Sequence, residues 1–429
     1  MAKGDHLLWI DGRQPPLILD TTAADFVSLI IDAMWRFQQG EGDESAQVVN
    51  FVVDRMSQKH NRLFRRKRVP RAQIVTDLHR VFGTLMAIAE SRCPAEIGLN
   101  AKTIHYGTWN APARMDLAVT YRCNLSCAKC YLPGTGLGPE LTTEQWLSVY
   151  QILWRLGIPQ VVFTGGEPTV REDIVELVSQ ADEFVTGLVT NGLNLATLAE
   201  SFRGASLDYA QVTVESVQPK VHDQMTGMAG SHALTVQGIV KALETGLQVV
   251  TNTTLCRINA PGFVETVKWL AETLGIKAMA CNTLICSGRG INFKKENGLS
   301  DQELRPILEA ACAEAERQKV TLQWYSPTCY NRGINPLELG FGPKSCSAAG
   351  HNMTIQPDGS VLPCQSWPDA VGNILADDWA KIWNHPVCKD LREHALANAE
   401  CRECGYAESC GGGCPLDDSP RCKGEGADQ

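Results

Sequence analysis

Three cysteines lie close together in the segment RCNLSCAKCY, at Cys123, Cys127 and Cys130, and the next cysteine along the chain is Cys256. Four thiolates saturate a cubane iron–sulfur cluster or a structural zinc ion, whereas three leave one metal position open to a ligand from outside the protein. An open metal position on a loop is a reactive position. Two alternatives remain at this point: a zinc ion completed by a distant cysteine or histidine, or three thiols that share no metal.

A second group of cysteines lies in the C-terminal part of the chain, with the spacing C-x12-G-x4-C followed by C-x2-C-x5-C-x3-C-x7-C. Its members are Cys346, Cys364, Cys401, Cys404, Cys410, Cys414 and Cys422. The chain has 17 cysteines, and its start, MAKGDHLL, lacks the profile of an export signal. Metal binding therefore explains the cysteines better than disulfides do. A zinc ribbon, for which C-x2-C is half of a site, is the alternative.

The composition predicts a globular protein of two or three domains, with 429 residues of which 44% are hydrophobic and 20% charged. Apolar stretches such as VSLII are far shorter than the roughly 18 residues of a membrane span, so we expect a soluble, cytoplasmic protein without a membrane partner. The net charge of −9 argues against nucleic-acid binding. The basic run RRKRVPR at 65–71 is interpreted as a solvated connector.

Residues 1–110 carry three apolar faces with helical spacing. They run from Phe26 to Phe37, from Val48 to Met56 and from Ile74 to Met86. We therefore predict a mostly helical N-terminal region. It could recognise a peptide, or it could buttress the rest of the molecule or form a dimer.

From Met115 onwards, strand and helix patterns take turns. Met115, Leu117 and Val119 alternate like a strand that runs straight into the cysteine loop, and Thr142 with Gln145 forms a capping box for the next helix. Further strands are predicted at QVVFT, GLVTN, YAQVTV, LQVVTNTTL and IKAMACNTL. About six such units predict an α/β fold, a partial (β/α)6 TIM-type barrel over residues 111–325, with functional loops at the carboxyl ends of the strands. Residues 326–429 should form a cysteine-rich domain in which metals replace much of the core.

This order of motifs resembles the radical SAM enzyme superfamily, because C-x3-C-x2-C follows the first barrel strand and Gly165-Gly166-Glu167-Pro168 follows the second. The resemblance implies that Cys123, Cys127 and Cys130 bind a [4Fe–4S] cluster. Its fourth iron would be chelated by the amino and carboxylate groups of S-adenosylmethionine. Electron transfer into the sulfonium would give methionine and a 5′-deoxyadenosyl radical that abstracts hydrogen from the substrate.

The same resemblance implies a set of cofactor contacts. Gly165 and Gly166 would let the backbone approach the methionine end of the cofactor, and Glu167 would accept a hydrogen bond from its ammonium. Candidates for the ribose and adenine contacts at later strand ends are Glu215, Ser216 and Asn252. Family members often carry an aromatic residue or His before the third cysteine, where this chain has Lys129, with Tyr131 just after it as the candidate adenine contact.

The C-terminal spacing resembles the SPASM domain, which holds two auxiliary [4Fe–4S] clusters beside radical SAM barrels. The resemblance implies that Cys346, Cys364 and Cys414 hold the first auxiliary cluster, with the upstream Cys329 as the eighth ligand overall. Ligands of the second would be Cys401, Cys404, Cys410 and Cys422. The glycines at 411–413 would allow the backbone to fold tightly around the cluster sulfides.

Most SPASM members modify ribosomally made peptides or proteins. The resemblance therefore implies oxidative modification of a peptide or protein, with an electron donor such as flavodoxin or ferredoxin. Alternatives are the same radical chemistry on a small molecule in cofactor or haem biosynthesis, and a zinc-stabilised scaffold without activity. Formylglycine-forming relatives use an Asp after the second SPASM cysteine as a base, whereas this chain has Gln365, whose amide cannot take a proton at neutral pH.

Overall fold

A computed structural model of the chain describes residues 5–8, 17–37, 44–60, 69–89, 109–132, 138–332, 334–397 and 399–417. Cys422 and residues 65–68 of the basic run lie outside the described residues. The chain divides into two compact units, Met1–Lys102 and Thr103–Gln429. In the described ranges no helix is both long and apolar enough to cross a membrane.

The described residues of the first unit form a hairpin and three helices. Strand β1 (Asp5–Leu8) pairs antiparallel with β2 (Leu17–Asp20), and helices α1 (Thr21–Phe37), α2 (Glu44–His60) and α3 (Arg71–Ala89) follow. The three predicted helices are confirmed. Their apolar faces meet in one cluster because the helical period places every third or fourth residue on the same side. Its buried members are Phe26, Ile30, Ala33, Val52, Val53, Met56, Ile74 and Leu78.

The second unit is built on a parallel sheet. The seven neighbouring strands are β3 (Arg114–Thr120), β4 (Gln160–Gly165), β5 (Val185–Thr190), β6 (Tyr209–Thr213), β7 (Gln248–Leu255), β8 (Ala278–Thr283) and β9 (Thr321–Trp324). All neighbouring pairs in this series are parallel, so the predicted α/β class is confirmed. Their carboxyl ends consequently lie along one edge.

Helices connect these strands. They are α4 (Thr143–Arg155), α5 (Ile174–Ser179), α6 (Leu195–Gly204), α7 (Pro219–Thr226), α8 (Ser231–Glu244), α9 (Phe263–Glu272), α10 (Gly290–Asn297) and α11 (Asp301–Gln318). Short 3₁₀ turns cover Pro168–Val170, Ala260–Gly262 and Tyr330–Arg332. The predicted capping box is confirmed, since the Gln145 N–H donates to the Thr142 hydroxyl and the Thr142 N–H donates to the Gln145 side chain.

The cysteine-rich region continues the same sheet. Its strands β10 (Asn352–Ile355), β11 (Ser360–Leu362) and β12 (Gly372–Asn373) are followed by α12 (Trp379–Trp383), α13 (Pro386–Arg392), α14 (Ala399–Arg402) and α15 (Ala407–Cys410). Strand β10 pairs parallel with β3, with Asn352 opposite Arg114, and antiparallel with β11. The sheet order is therefore β12-β11-β10-β3-β4-β5-β6-β7-β8-β9. The sequence did not predict this extension, and the domain boundaries at 110 and 325 stay predictions.

Candidate active site at the carboxyl ends of the strands

The cysteine loop, residues 121–132, follows β3 directly and is held by backbone hydrogen bonds. The Glu167 N–H donates to the Arg122 carbonyl at 2.9 Å, the Ser126 N–H to the Thr226 carbonyl at 3.2 Å, and the Gly290 N–H to the Cys130 carbonyl at 3.1 Å. The donors Glu167 and Gly290 belong to segments that follow β4 and β8, and the acceptor Thr226 ends α7. The sequence therefore places the loop where several strand ends converge.

The three thiols of this loop share one electrostatic neighbourhood. Burial raises the pKa of Cys127 to about 11, against the charge of Lys129 and with added repulsion from Glu215, Cys123 and Cys130. Burial likewise raises the pKa of Cys123, although the Leu125 N–H donates to its sulfur at 3.4 Å. A bound cation would reverse this direction, because metal ligation deprotonates thiols.

No three His, Cys, Asp or Glu side chains within the described ranges converge tightly enough to hold a single metal ion. A cubane requires a wider spacing, because each of its thiolates binds a different iron atom. Cys123 is exposed, and Cys127 and Cys130 are half-buried. Their assignment as ligands stays a prediction.

The two glycines after β4 pack against the cysteine loop. A Cβ on Gly165, whose φ is 140°, would lie 2.0 Å from the Thr120 carbonyl oxygen, and one on Gly166 would lie 2.4 Å from that of Arg122. Such distances exclude any side chain. The structure thus gives these glycines a structural reason that the sequence did not reveal: they let the two motif-bearing segments touch. Their predicted approach to a cofactor is a separate expectation.

Glu167 is buried, and its carboxylate accepts hydrogen bonds from neighbouring strand ends. Oε1 accepts from the N–H and the hydroxyl of Thr169 at 3.1 and 2.5 Å and from the Thr190 hydroxyl at 2.7 Å. Oε2 accepts from the Asn191 N–H at 2.7 Å. Pro168 opens the 3₁₀ turn that Glu167 caps. Glu167 therefore ties the end of β4 to the end of β5, and its predicted bond to an ammonium could use only the remaining lone pair of Oε2.

A buried ion pair joins the cysteine loop to β6 and β7. Lys129 Nζ lies 2.5 Å from Glu215 Oε1 and donates to the Thr254 hydroxyl at 2.8 Å. The Glu215 side chain is fully buried, and its Oε2 accepts from the Thr254 N–H at 3.2 Å. Lys129 thus supplies the positive charge that pairs with the buried Glu215 carboxylate. Sequence spacing could not reveal this partnership.

Two histidines fix the backbone of the segment that carries Glu215 and Ser216. The Glu215 N–H donates to His222 Nδ1 at 3.2 Å, and Asn259 Nδ2 donates to the Glu215 carbonyl at 2.9 Å. His232 hydrogen-bonds the Ser216 backbone and lies edge-on to His222, with ring centroids 5.4 Å apart. These positioning residues were missed in the sequence, where they are single polar residues on helices.

Burial lowers the pKa of His222 from 6.5 to about 4, with the neighbouring His232 as the second cause. Between these two values the unfolded chain binds a proton that the folded chain does not, so stability falls as pH falls. We expect the free energy of unfolding to drop by about 2 kcal/mol more in the wild type than in His222→Asn between pH 7 and pH 5. Urea unfolding at the two pH values measures the difference. The buried His351, whose pKa is also lowered to about 4, is unchanged in both proteins. Equal pH slopes would contradict the assignment.

The remaining predicted cofactor contacts lie in different surroundings. The Ser216 hydroxyl accepts from the Gln218 N–H at 3.1 Å. Asn252 shares a face of β7 with Thr254, which meets Lys129, so this face looks towards the cysteine loop. Asn252 Oδ1 is buried and has no hydrogen-bond partner among the described residues. An unpartnered acceptor beside the cysteine loop fits a nucleoside-bearing cofactor such as S-adenosylmethionine.

Tyr131, the last of the predicted contacts, points away from this group. Its hydroxyl donates to Gln365 Oε1 at 2.5 Å, and the Thr164 side chain is a further hydrogen-bond partner. Burial raises the pKa of Tyr131, so the phenol stays protonated and acts as a donor.

The C-terminal cysteines lie in two neighbourhoods. Burial raises the pKa of Cys364 to about 12, with repulsion from Cys414, and Cys346 lines a small cavity with Pro415, next to Cys414. Cys401, Cys404 and Cys410 lie on or beside α14 and α15, where Asn331 Nδ2 donates to Cys404 Sγ at 3.1 Å and Cys410 Sγ to the Thr328 carbonyl at 3.3 Å. The assignment of these cysteines to two ligand sets stays a prediction.

Cys329 packs against Cys410 and Tyr330 and is disulfide-bonded in the structure. A disulfide sulfur does not ligate iron, so the prediction that Cys329 is the eighth ligand requires this bond to be reduced. The three glycines at 411–413 all have left-handed φ values, of 64°, 86° and 81°. They supply the tight backbone that the sequence predicted for this turn.

Two family models match the chain. Residues 117–270 match the Radical SAM superfamily. Residues 346–405 match SPASM, an iron–sulfur cluster-binding domain. The two matches cover the cysteine loop with the strands after it and the start of the C-terminal cysteine group.

Similar proteins include the PqqA peptide cyclase of Granulibacter bethesdensis, 28% identical over 319 residues that cover 72% of this chain and 83% of that protein. The AdoMet-dependent heme synthase of Methanosarcina barkeri is 26% identical over 324 residues, 71% of this chain and 91% of that protein. The fold is similar to that of Streptococcus suis SuiB bound to its precursor peptide SuiA, with a TM-score of 0.62 at 17% identity over 93% of this chain and 90% of that one. The chain therefore contains a domain that matches the Radical SAM superfamily and, C-terminal to it, a domain that matches SPASM.

Proposed function

We propose that this radical SAM enzyme oxidatively modifies a ribosomally made peptide or protein. The observation that carries the proposal is the three-cysteine loop at the end of β3, gathered against the Gly165-Gly166 turn and the Lys129–Glu215 pair. Cys123, Cys127 and Cys130 would hold a [4Fe–4S] cluster with one iron open to S-adenosylmethionine. Such a cluster would supply the electron that splits the sulfonium, which would give methionine and a 5′-deoxyadenosyl radical.

Around that group, the chain would provide binding and orientation. Asn252 Oδ1 offers an acceptor to the nucleoside, while Lys129 and Glu215 keep the cysteine loop against β6 and β7. The buried Lys129 ammonium and Glu215 carboxylate neutralise each other, so the pocket adds little net charge at this point. Gln365 cannot act as a base, which argues against formylglycine formation.

The peptide substrate is supported by two relatives. PqqA peptide cyclase is named for a peptide substrate, and SuiB was crystallised with its precursor peptide. The likeness to SuiB extends over 93% of the chain and so reaches into the Met1–Lys102 unit, whereas the match to the heme synthase covers 71%. We assign peptide recognition to this N-terminal unit.

We further propose two auxiliary clusters, an electron donor such as flavodoxin or ferredoxin, and a cytoplasmic location. The first auxiliary cluster would use Cys346, Cys364 and Cys414, with Cys329 once its disulfide is reduced. The second would use Cys401, Cys404, Cys410 and Cys422. A cluster close to the substrate can accept the second electron of a two-electron oxidation.

A small molecule is the second candidate substrate, favoured by the 26% identity to the heme synthase. The two candidates differ in what must be encoded beside the gene. A neighbouring short reading frame favours a peptide, whereas neighbouring tetrapyrrole or metal-cofactor genes favour the small molecule.

Anaerobic reconstitution with iron and sulfide, followed by dithionite and S-adenosylmethionine, tests the radical chemistry. We expect 5′-deoxyadenosine, and with the neighbouring peptide a product that has lost two hydrogen atoms by mass spectrometry. A fully iron-loaded sample that forms no 5′-deoxyadenosine would overturn the proposal. Zinc with little iron in the anaerobically purified protein would select the non-enzymatic scaffold instead.

A further inference from the structure

Tyrosines at both ends of the cysteine loop donate to glutamines of the C-terminal region. The Tyr121 hydroxyl donates to Gln356 Oε1 at 3.0 Å, and the Tyr131 hydroxyl donates to Gln365 Oε1 at 2.5 Å. Gln356 follows the last residue of β10, and Gln365 follows Cys364 just after β11. The β10–β11 hairpin thus reaches the cysteine loop at its beginning and at its end.

The Tyr131 phenol is a point where three motif-bearing segments meet. Tyr131 follows Cys130, its partner Gln365 follows Cys364, and its second partner Thr164 precedes Gly165. Loss of the Tyr131 hydroxyl would therefore remove hydrogen bonds that join the cysteine loop to the C-terminal cysteine group and to the glycine turn.

The backbone on either side of Tyr131 is fixed from a different direction. The Ser287 hydroxyl donates to the Tyr131 carbonyl at 2.8 Å, and a Cβ on Gly288 would lie 2.2 Å from the Leu132 carbonyl oxygen. The main chain is thereby held by the segment after β8, while the side chain is held by the C-terminal region. Together these contacts determine where the Cys130 sulfur lies relative to the strand ends.

The chemistry of the pair suits a permanent restraint. A phenol and a carboxamide are both neutral throughout the physiological pH range, so the bond persists at any working pH. A partly buried hydrogen bond of this kind contributes about 1 kcal/mol, and leaving one partner without the other costs a similar amount. Gln365 therefore serves as a hydrogen-bond acceptor for the cysteine loop.

We propose that Gln365, with Gln356, is a positioning residue of the S-adenosylmethionine site, through which the SPASM region holds both ends of the cysteine loop in place. The proposal rests on the proposed function, because it concerns how this chain places the loop that would bind the cofactor. It assigns the C-terminal region a mechanical role in the first step, separate from any electron transfer by its clusters.

Three variants of the reconstituted holoenzyme test it. Tyr131→Phe removes the donor, Gln365→Met removes the acceptor at nearly the same side-chain length, and Gln365→Glu keeps an acceptor oxygen as the matched control. Samples are compared at equal iron content. The readouts are the dissociation constant of S-adenosylmethionine by equilibrium dialysis, the change it causes in the electron paramagnetic resonance spectrum of the reduced protein, and hydrogen exchange over residues 121–132.

We expect Tyr131→Phe and Gln365→Met each to raise the dissociation constant about fivefold, the change that ~1 kcal/mol produces, and to speed amide exchange in the loop. Gln365→Glu should bind within about twofold of the wild type. Adding Tyr121→Phe to Tyr131→Phe should weaken binding further. Wild-type affinity and exchange in both Tyr131→Phe and Gln365→Met would overturn the inference, as would Gln365→Glu binding as weakly as Gln365→Met. An inactive wild type would instead strike at the proposed function itself.

Discussion

Replacing Cys123, Cys127 and Cys130 together with alanine is expected to reduce 5′-deoxyadenosine formation to the background of a sample without reductant. The three thiols lie on one loop and influence each other's charge. They are the only sulfurs that the resemblance assigns to the cluster that binds S-adenosylmethionine. Without them no iron at this place can be ligated by the chain. The variant should keep about eight iron atoms, because the C-terminal cysteines are untouched. Iron analysis and liquid chromatography of the assay mixture measure the two quantities.

A matched control keeps the number of cysteines removed but changes their place. Cys256, Cys281 and Cys388 are buried, and none belongs to any of the three predicted ligand sets. Their combined replacement by alanine costs packing, yet it should leave cofactor cleavage per iron-loaded chain unchanged. The assignment of Cys123, Cys127 and Cys130 to a cluster would be refuted if the triple variant still cleaved S-adenosylmethionine, or if the control lost cleavage to the same extent.

The fold was largely predictable because its signals are local. The apolar pattern of β3 and the capping box at Thr142 and Gln145 depend on neighbours in the sequence, and the structure contains both the strand and the capping box. The strand is buried on both faces from Met115 to Thr120, which the alternating pattern did not predict. The pairing of β10 with β3 was not predictable, since it joins residues more than two hundred positions apart and β10 has only 4 residues. Long-range parallel pairing leaves no periodic trace in either strand.

The candidate site was also predictable only where its signals are local in the sequence. The spacing of Cys123, Cys127 and Cys130 pointed to the loop because metal ligation imposes a pattern on the sequence. Lys129 and Glu215 gave no such pattern, because an ion pair across a barrel needs only one residue on each side. Glu215 itself was predicted as a ribose contact, and the structure shows its carboxylate already engaged by Lys129 and by the Thr254 N–H.

Two sets of side-chain contacts hold the cysteine loop. The first set of contacts lies at the carboxyl ends of the strands, where Lys129 reaches Glu215, which follows β6, and Thr254 on β7. The second set is made with the C-terminal hairpin, where Gln356 and Gln365 accept hydrogen bonds from the hydroxyls of Tyr121 and Tyr131. The first set contains a buried ion pair, so its loss should lower the free energy of unfolding more than the loss of the second set. The second set consists of hydrogen bonds between neutral side chains, so its loss should change the position of the cysteine loop more than the stability of the protein.

Lys129→Met should be strongly destabilising. Methionine preserves most of the side-chain volume but leaves the Glu215 carboxylate, whose side chain is fully buried, without its cation. Removing one partner of a buried ion pair costs about 3–5 kcal/mol, because the remaining charge is neither hydrated nor paired. Urea unfolding followed by tryptophan fluorescence measures the change. Adding Glu215→Gln should recover most of the loss, because the double variant has no buried charge left. Lys241→Met breaks an exposed pair with Glu200 and should leave stability unchanged. A double variant as unstable as Lys129→Met alone would show that the cost arises from lost packing of the lysine stem and not from an orphaned carboxylate.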